Sequence, residues 1–208
     1  MRNIIALLFP LLYLSSFAQD VKEKTHVFIG VETGFNLTLS ESYGDKILED
    51  MYGLSFDYVF TKTRSVKAKI MYMKMKTTAD VYNKYYSEYR DVTYDAEYIV
   101  IPVLYKWQYG KGNVRGFLQG GFYLGIEYSS NYTNYPLNYS KSSNDFGISM
   151  GTGILFPIIA DKFFVQSEIG LYEGFFSKVP ESDDTPKQLM PDGTLTNLTY
   201  SIGFNYKF

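Results

Sequence analysis

The 208-residue chain contains no cysteine and a single histidine, His26. The lack of cysteine excludes a disulfide framework, and one histidine cannot supply the several nitrogen or sulfur ligands of a zinc site. A serine–histidine–aspartate triad would depend on His26 alone, without the neighbouring groups such a site needs. The formal net charge of −2 argues against nucleic-acid binding. We therefore expect no enzymatic activity, no metal and no cofactor.

The chain also lacks an apolar run long enough for a membrane-spanning helix, which takes about 20 residues. Near the amino terminus, Arg2 precedes the apolar run Ile4–Leu14, and Ser16–Ala18 forms a small-x-small cleavage site. A membrane anchor is the alternative, but the run is too short for one. The pattern predicts a signal peptide over residues 1–18 and one domain over residues 19–208.

Aromatic residues are abundant, with 21 tyrosines and 16 phenylalanines, and apolar and polar residues alternate in eight strand-like runs. The connectors between these runs alternate in length. The long ones are Thr38–Asp50, Thr77–Asp91, Ser129–Asn144 and Lys178–Thr194. The short ones are Thr61–Ser65, Gln108–Val114 and Pro157–Lys162. This rhythm is typical of outer-membrane barrels, whose short turns face the periplasm and whose long loops face outside.

The predicted fold is therefore an all-β, eight-stranded antiparallel up-and-down transmembrane β-barrel. It would be integral to a bacterial outer membrane, with both termini periplasmic. Its expected partners are outer-membrane lipid, lipopolysaccharide and the outer-membrane insertion machinery. A soluble ligand-carrying barrel is the alternative, because alternation alone does not say which face is inside.

Three observations favour a bulky face turned outward. The other face is rich in glycine and serine, and spans of roughly 10–12 residues match tilted membrane strands. Aromatic residues also gather at both ends of the bulky face, as two membrane interfaces select. Near the short turns these are Tyr58, Phe60, Tyr105, Trp107, Phe156, Phe163, Tyr206 and Phe208. Near the long connectors they are Phe35, Tyr52, Tyr72, Tyr128, Phe146 and Tyr200.

The face assigned to the lumen carries charges of both signs. They are Glu32, Asp57, Glu127 and Glu168 against Lys67, Lys69, Lys106 and Lys207. The short Thr61–Ser65 turn predicts a register with Asp57 opposite Lys69 and Val59 opposite Lys67. Because buried charges must be paired, we expect a lumenal Asp57–Lys69 ion pair. The charges form either an ion path or a polar plug. The narrow interior of eight strands favours the plug.

Two details depart from a regular membrane strand. Pro102 lies in the middle of the fourth run and removes a ladder donor, so we expect a bulge or a gap there. Alternation also places Lys74, Lys76 and Glu97 outward, so these strands should project above the bilayer. The two lysines then meet lipid phosphates or are simply solvated strand ends, the plainer interpretation.

The long connectors carry candidate contact residues. The tyrosines are Tyr82, Tyr85, Tyr86 and Tyr89 in one connector and Tyr132, Tyr135 and Tyr139 in another. Exposed tyrosines are good contact surfaces, so a protein or glycan partner is the functional hypothesis for these loops. The alternative is that they pack on one another over the barrel mouth. The acidic run Glu181–Asp184 is better explained as a solvated loop than as a divalent-cation site.

Several segments resemble one family. Tyr98–Trp107 resembles the Y-L-E-I-P-L-L-L-K-Y segment of the PorT-like group of Bacteroidetes outer-membrane β-barrels, eight-stranded barrels of OmpX/OmpA type. Asp145–Gly147 with Gly151–Gly153 resembles its D-F-G…G-x-G strand, and Ser201–Phe208 its closing strand. Val100 stands where that family has a carboxylate, so a lumenal role that depends on the carboxylate is not expected in this chain. The resemblance implies a carboxy-terminal signal for the insertion machinery, formed by Phe204, Tyr206 and Phe208.

These observations predict a non-enzymatic outer-membrane protein with a structural or surface-binding role through its extracellular loops. A narrow porin-like channel is one alternative. An accessory component of protein secretion is another, and it is implied by the family resemblance alone.

Overall fold

The computed structural model describes residues 25–39, 47–83, 88–110, 114–133, 144–159, 162–175 and 196–208. The regular elements in these ranges are eight strands. They are β1 (His26–Leu39), β2 (Leu48–Thr61), β3 (Arg64–Asn83), β4 (Glu88–Tyr109), β5 (Arg115–Thr133), β6 (Asp145–Ile159), β7 (Phe163–Gly174) and β8 (Thr196–Lys207). Among the described residues, no helix is long and apolar enough to cross a membrane. The signal-peptide segment 1–18 and the acidic run Glu181–Asp184 lie outside the described residues.

Each strand pairs antiparallel with its neighbour in sequence, and β8 pairs with β1 to close the barrel. The predicted eight-stranded up-and-down barrel is confirmed. The turns after β2, β4 and β6 lie at one end of the barrel, together with the start of β1 and the end of β8. We call this the short-turn end. The opposite end, the long-loop end, holds the other connectors. Closure leaves the strands paired on both sides, which removes the sheet edges that a membrane cannot tolerate.

The predicted connector Thr77–Asp91 is wrong, because β3 and β4 continue through most of it. Their ladder runs from Thr77 opposite Tyr94 to Asn83 opposite Glu88. The segment is rich in β-branched and aromatic residues, whose preference for strands prevails over its polar composition. Similarly, β5 continues into the predicted connector Ser129–Asn144 and ends at Thr133.

The two faces of the barrel are arranged as predicted. Outward side chains are apolar, and Leu54, Ile70 and Phe122 expose 56–58% of their surface. Inward charged side chains are buried, as with Lys67 at 0% exposure and Lys69 at 2%. A soluble barrel would bury the apolar face instead, so the molecule is built for an apolar solvent outside and buries its charged side chains in the lumen.

The predicted register between β2 and β3 is wrong by two residues. Asp57 lies opposite Lys67, and Ser55 lies opposite Lys69. The chain reverses over a two-residue turn at Lys62 and Thr63, and an irregularity between Val59 and Thr61 then shifts the ladder. Because a shift of two preserves the alternation of faces, the inward residues were predicted correctly although their partners were not.

Crowding explains two inward glycines, and a gap in the β3–β4 ladder accompanies one proline. A Cβ atom on Gly34 would lie 1.9 Å from the Tyr200 carbonyl oxygen, and one on Gly121 would lie 2.1 Å from the Val103 carbonyl oxygen. Larger residues at these two positions would push neighbouring strands apart. The expected gap at Pro102 is confirmed, since the β3–β4 ladder passes from Ala68–Val103 to Met71–Val100 without pairing the residues between.

Candidate functional site

Four charged side chains meet in the middle of the lumen, and we call them the charge quartet: Glu32, Lys67, Lys69 and Glu168. Lys69 Nζ lies 2.7 Å from Glu32 Oε2 and 2.7 Å from Glu168 Oε1. Lys67 Nζ lies 2.5 Å from Glu32 Oε1 and 3.5 Å from Glu168 Oε2. Because β3 and β7 stand opposite each other in the ring of eight strands, the Lys69–Glu168 pair spans the lumen.

Two amides complete the hydrogen bonding of the quartet. Gln119 and Gln166 each donate from Nε2 to one carboxylate oxygen of Glu168, both at 2.7 Å. The quartet and its two amides thus come from β1, β3, β5 and β7, so alternate strands build one layer, as in other filled barrels. Two carboxylates balance two ammonium groups, which offsets much of the cost of burying four charges.

A second ion pair lies toward the short-turn end. Lys106 Nζ contacts Asp57 Oδ2 at 2.8 Å and sits 4.5 Å from the centre of the Phe117 ring. The predicted partner of Asp57, Lys69, belongs to the quartet instead, because the register of β2 and β3 moves Asp57 one inward position away from it. The predicted Asp57–Lys69 pair is therefore wrong.

A layer of methionine and tyrosine fills the lumen toward the long-loop end. Its buried members are Met51, Met71, Met73, Met75, Tyr94, Ala96, Tyr98, Val100, Tyr123 and Tyr172. The Tyr172 hydroxyl on β7 lies 3.9 Å from Met71 Sδ on the opposite wall. Sequence reasoning missed this layer, although Met71, Met73 and Met75 occupy successive inward positions of β3. Flexible thioethers suit this role because they fill irregular gaps.

The tyrosines of this layer also donate hydrogen bonds to two buried carboxylates. The Tyr98 hydroxyl donates to Glu127 Oε2 at 2.8 Å, and the Tyr123 hydroxyl donates to Asp145 Oδ2 at 2.8 Å. Glu127, one of the predicted lumenal charges, thus lies in the methionine–tyrosine layer and not in the quartet. Asp145 was not among the predicted lumenal charges. Its position at the start of β6, on the inward face by alternation, would have predicted it.

An apolar layer closes the lumen at the short-turn end. Phe28, Val59 and Leu155 are buried together, with Phe164 packed against them. The rings of Phe28 and Phe164 meet edge to face at 5.1 Å. Side chains from different walls thus touch at three levels: this layer, the charge quartet and the methionine–tyrosine layer. The geometry is that of a filled barrel.

The remaining predicted residues lie at the ends of the strands. Lys207 is half-buried at the end of β8, apart from the quartet. Phe204 and Phe208 are exposed on the outer face, and Tyr206 packs 5.0 Å from Phe163 and 4.7 Å from Phe208. These three carboxy-terminal aromatic residues form one row at the short-turn end. Their role as an insertion signal stays a prediction.

The single histidine lies at the short-turn end of β1, where its ring meets Phe28 edge-on at 5.2 Å. Within the described ranges, no group of three histidine, cysteine, aspartate or glutamate side chains is arranged to hold a metal ion. The outward lysines each face a carboxylate of β4. Lys74 lies 3.9 Å from Glu97, and Lys76 lies 3.7 Å from Asp95.

Three of the candidate contact tyrosines lie in described strand segments at the long-loop end. Tyr82 lies opposite Tyr89 near the end of the β3–β4 ladder, and Tyr132 lies opposite Tyr94. Only the backbone positions of Tyr82, Tyr89 and Tyr132 are described. The remaining candidates fall outside the described residues: Tyr85, Tyr86, Tyr135 and Tyr139.

Comparison with known proteins agrees with a closed membrane barrel. The family model described as an outer membrane protein beta-barrel domain matches residues 17–178. The chain belongs to this family. Its barrel is accordingly integral to the outer membrane, with the apolar outer face against lipid. No curated protein matches the chain significantly.

Several solved structures share the barrel fold. A major outer membrane protein from Thermus thermophilus superposes with a TM-score of 0.57 at 12% identity, over 89% of this chain and 100% of that chain. Neisserial surface protein A, NspA, gives a TM-score of 0.53 at 10% identity with the same coverage. Ail of Yersinia pestis, solved with the heparin analogue sucrose octasulfate, gives 0.52 at 13% identity, again with the same coverage. At these identities the likeness concerns the fold.

Proposed function

We propose that this family member is a non-enzymatic surface-binding protein whose contact surface stands at the long-loop end. The observation that carries the proposal is the unequal length of the strands. β3, β4 and β5 have 20, 22 and 19 residues, whereas the other five have 12 to 15. Three neighbouring strands therefore continue beyond the rim that the others define.

This projection, which we call the ribbon, consists of residues 74–83, 88–97 and 126–133. The described ladder between β2 and β3 ends at Met51–Met73, whereas β3 remains paired with β4 as far as Asn83. β5 leaves β6 at Gly125 and follows β4 to Thr133. Ten paired residues of β3 extend about 30 Å at the usual rise of a strand. Paired backbone makes the ribbon a preorganised contact surface, which lowers the entropic cost of binding.

The chemistry of this end favours a protein or a neutral glycan over a polyanion. Tyr82 and Tyr89 lie at facing register positions near the tip of the ribbon, and tyrosine supplies large amphipathic contact area. The described rim carries more acid than base. Among the rim residues whose side chains are described, the acidic ones are Glu49, Asp50, Asp95, Glu97 and Glu173, against Lys74 and Lys76. We therefore expect a ligand unlike the sulfated sugar in the Ail structure.

A narrow channel is the less favoured function. The charge quartet joins opposite walls and so obstructs the lumen. Its two lysines alternate with two glutamates, so their charges cancel and leave no local electric field that would attract ions. We expect no discrete conductance steps in planar bilayers under moderate voltage. Steady channel openings by the purified chain would favour the porin-like alternative.

The experiment removes the ribbon tip without disturbing the barrel. The variant lacks residues Ala79–Val92, whose two ends face each other in the β3–β4 ladder. An Asn-Gly turn joins Thr78 to Thr93, which also face each other, so the ladder keeps its register. The matched control places Asn-Gly at the opposite end, in place of Lys62-Thr63. Both chains are embedded in nanodiscs and tested against neutral glycans, heparin and immobilised surface proteins. We expect the excision to reduce binding at least tenfold and the control to retain it. Equal binding by both would refute the proposal.

We also propose the finer assignments that the sequence suggested. The likeness of Tyr98–Trp107 and Ser201–Phe208 supports membership of the PorT-like group of Bacteroidetes barrels, and with it an accessory role in secretion. Short turns and both termini would face the periplasm. A protease-cleavable tag inserted into the connector 84–87 should be cut in intact cells, whereas one following residue 19 should be protected. A gene deletion that leaves the secreted proteins unchanged would argue against the secretion role.

A further inference from the structure

The wall of the barrel divides where the ribbon begins. Beyond Met51, β2 stays paired with β1 as far as Leu48, whereas its described ladder with β3 has ended. Lys74 is therefore the first residue of β3 without a described ladder partner on β2. At the same level, the β4–β5 ladder is irregular between Glu97 and Tyr98, and such bulges bend a sheet locally. The ribbon thus joins the barrel where the described closure of the wall no longer prevents a three-stranded sheet from tilting.

Three buried polar side chains meet at this junction, and we call them the polar clamp: Asn36, Thr38 and Asn197. Asn36 Nδ2 donates to the carbonyl oxygen of Lys74 at 2.9 Å, so β1 reaches past β2 to the base of the ribbon on β3. The same nitrogen donates to Asn197 Oδ1 at 3.3 Å. The Thr38 hydroxyl donates to that oxygen at 2.9 Å. Both hydrogens of the Asn36 amide are thus used, and its orientation is determined because a carbonyl oxygen only accepts.

The surroundings of the polar clamp favour a fixed geometry. Asn36 and Asn197 are fully buried, and Thr38 exposes 2% of its surface. Asn36 and Thr38 occupy successive inward positions of β1, and Thr38 lies opposite Asn197 on β8. Hydrogen bonds in such a site are strengthened by the low local dielectric. The neighbouring methionine–tyrosine layer contains flexible thioethers, which fill space with little preference for direction. The clamp therefore supplies directional contacts at the base of the ribbon.

A small change of angle at this base becomes a large displacement at the tip. Beyond Lys74 the ribbon extends about 30 Å, so a tilt of about 10° moves its tip by about 5 Å. This displacement exceeds the length of a hydrogen bond. A ribbon without a fixed tilt would present its contact residues in many orientations, and a partner would have to order them at an entropic cost.

We propose that Asn36, held by Asn197 and Thr38, is a positioning residue that fixes the tilt at which the ribbon leaves the barrel. The inference deepens the proposed surface-binding function and rests on it, since a ribbon of fixed tilt is a preorganised contact surface. Asn36 is buried in the lumen and does not reach a ligand outside the barrel. It acts through the Lys74 carbonyl, so its loss should change the orientation of the ribbon and leave the residues that the ribbon presents unchanged.

The test measures the tilt by electron paramagnetic resonance on the full chain in nanodiscs. The chain has no cysteine, so Leu198→Cys and Thr133→Cys each take one spin label. Leu198 is exposed on β8, which stands opposite β4 in the ring of strands. Thr133 is the last residue of β5 and belongs to the ribbon. Pulsed double resonance gives the distribution of distances between the two labels, and the width of this distribution reports the freedom of the ribbon to tilt.

The decisive variant is Asn36→Leu, which keeps the size of the side chain and removes both donors. Its matched control is Asn205→Leu, the same change at a buried position of β8 nearer the short-turn end, where the amide oxygen accepts from Ser55. We expect Asn36→Leu to broaden the distribution at least about twofold, because the length of the ribbon magnifies the tilt that is freed. Asn205→Leu should keep the width of the wild type.

Two results would overturn the proposal. One is the same width in the wild type and in Asn36→Leu, and a lower unfolding temperature without broadening would mean that the clamp serves stability alone. The other is equal broadening by both leucine variants. Should Asn36→Leu not fold, Thr38→Val decides, because it removes the hydroxyl that holds Asn197, and a width equal to that of the wild type would contradict the proposal. The measurement needs no ligand, so its failure is distinct from failure of the proposed function, which the excision of the ribbon tip tests by binding.

Discussion

Lys69 and Ile70 are neighbours on β3, yet Lys69 exposes 2% of its surface and Ile70 exposes 56%. The first side chain enters the lumen and contacts two carboxylates, while the second faces lipid without a specific partner. The two faces of the same strands therefore depend on different physics. Inside, a charged residue is acceptable only with its counter-charge. Outside, an apolar character of suitable size is sufficient.

The contacts that select one arrangement of the strands lie in the lumen of this barrel. The outer face has little free energy to gain from water exclusion between strands, because lipid is as apolar as the side chains it touches. The lumen instead holds side chains from opposite walls at defined distances, and these contacts select one arrangement of the eight strands. Substitutions on the two faces should consequently differ in how strictly they depend on residue identity.

The largest effect is expected in the quartet. Glu168→Ala leaves Lys67 and Lys69 with one carboxylate and removes the acceptor of Gln119 and Gln166. Breaking a buried pair in this way costs about 3–5 kcal/mol. Urea unfolding of the chain in lipid vesicles measures the loss, and Asp50→Asn at the exposed rim serves as control. If the loss of unfolding free energy were no greater than that of the control, the quartet would not contribute to the stability of the barrel.

A charge on the outer face is expected to have the next largest effect. Ile70→Arg places a guanidinium against lipid near the middle of β3, which costs about 2–4 kcal/mol at the bilayer midplane. Ile70→Leu keeps the apolar character and should cost less than about 1.5 kcal/mol. The same vesicle unfolding assay compares the two. Similar losses for leucine and arginine would mean that this face, like the lumen, requires one particular residue.

The smallest effect is expected in the methionine–tyrosine layer. Met73 is fully buried, and Met73→Leu conserves its volume and apolar character. Such substitutions usually cost less than about 1.5 kcal/mol, so the thermal unfolding midpoint should fall by only a few degrees. Met73→Ala, which opens a cavity, should cost about 2–5 kcal/mol. If leucine proved as costly as alanine, the thioether itself would be required at this position.

The strands and their faces followed from alternation, because a period of two is visible in the sequence without any partner. The assignment of Lys67 and Glu168 to the lumen needed nothing more. Register was less accessible, since it depends on the turn at Lys62-Thr63 and on an irregularity beside it. The extension of β3 to Asn83 was missed for a related reason: polar residues there resemble a loop until the pairing with β4 is seen.

The pairing of the lumenal charges could not be predicted from the sequence. Lys69 and Glu168 lie 99 positions apart in the chain and on opposite walls of the barrel. Their contact depends on the number of strands, on the stagger between them and on closure, and local periodicity encodes none of these. Asp57 was paired with a neighbouring strand's lysine because only neighbouring strands are visible in the sequence, whereas its partner Lys106 lies two strands away.

Alternation along a strand is a local property, so the sequence alone is enough to predict eight amphipathic strands, an apolar outer face, charged residues in the lumen and aromatic residues near both ends of the barrel. The pairing of the charges, the residues that close the lumen and the length of the ribbon depend on the folded barrel. Closing a sheet brings together residues distant in the chain, and the distances between their side chains then fix the partners.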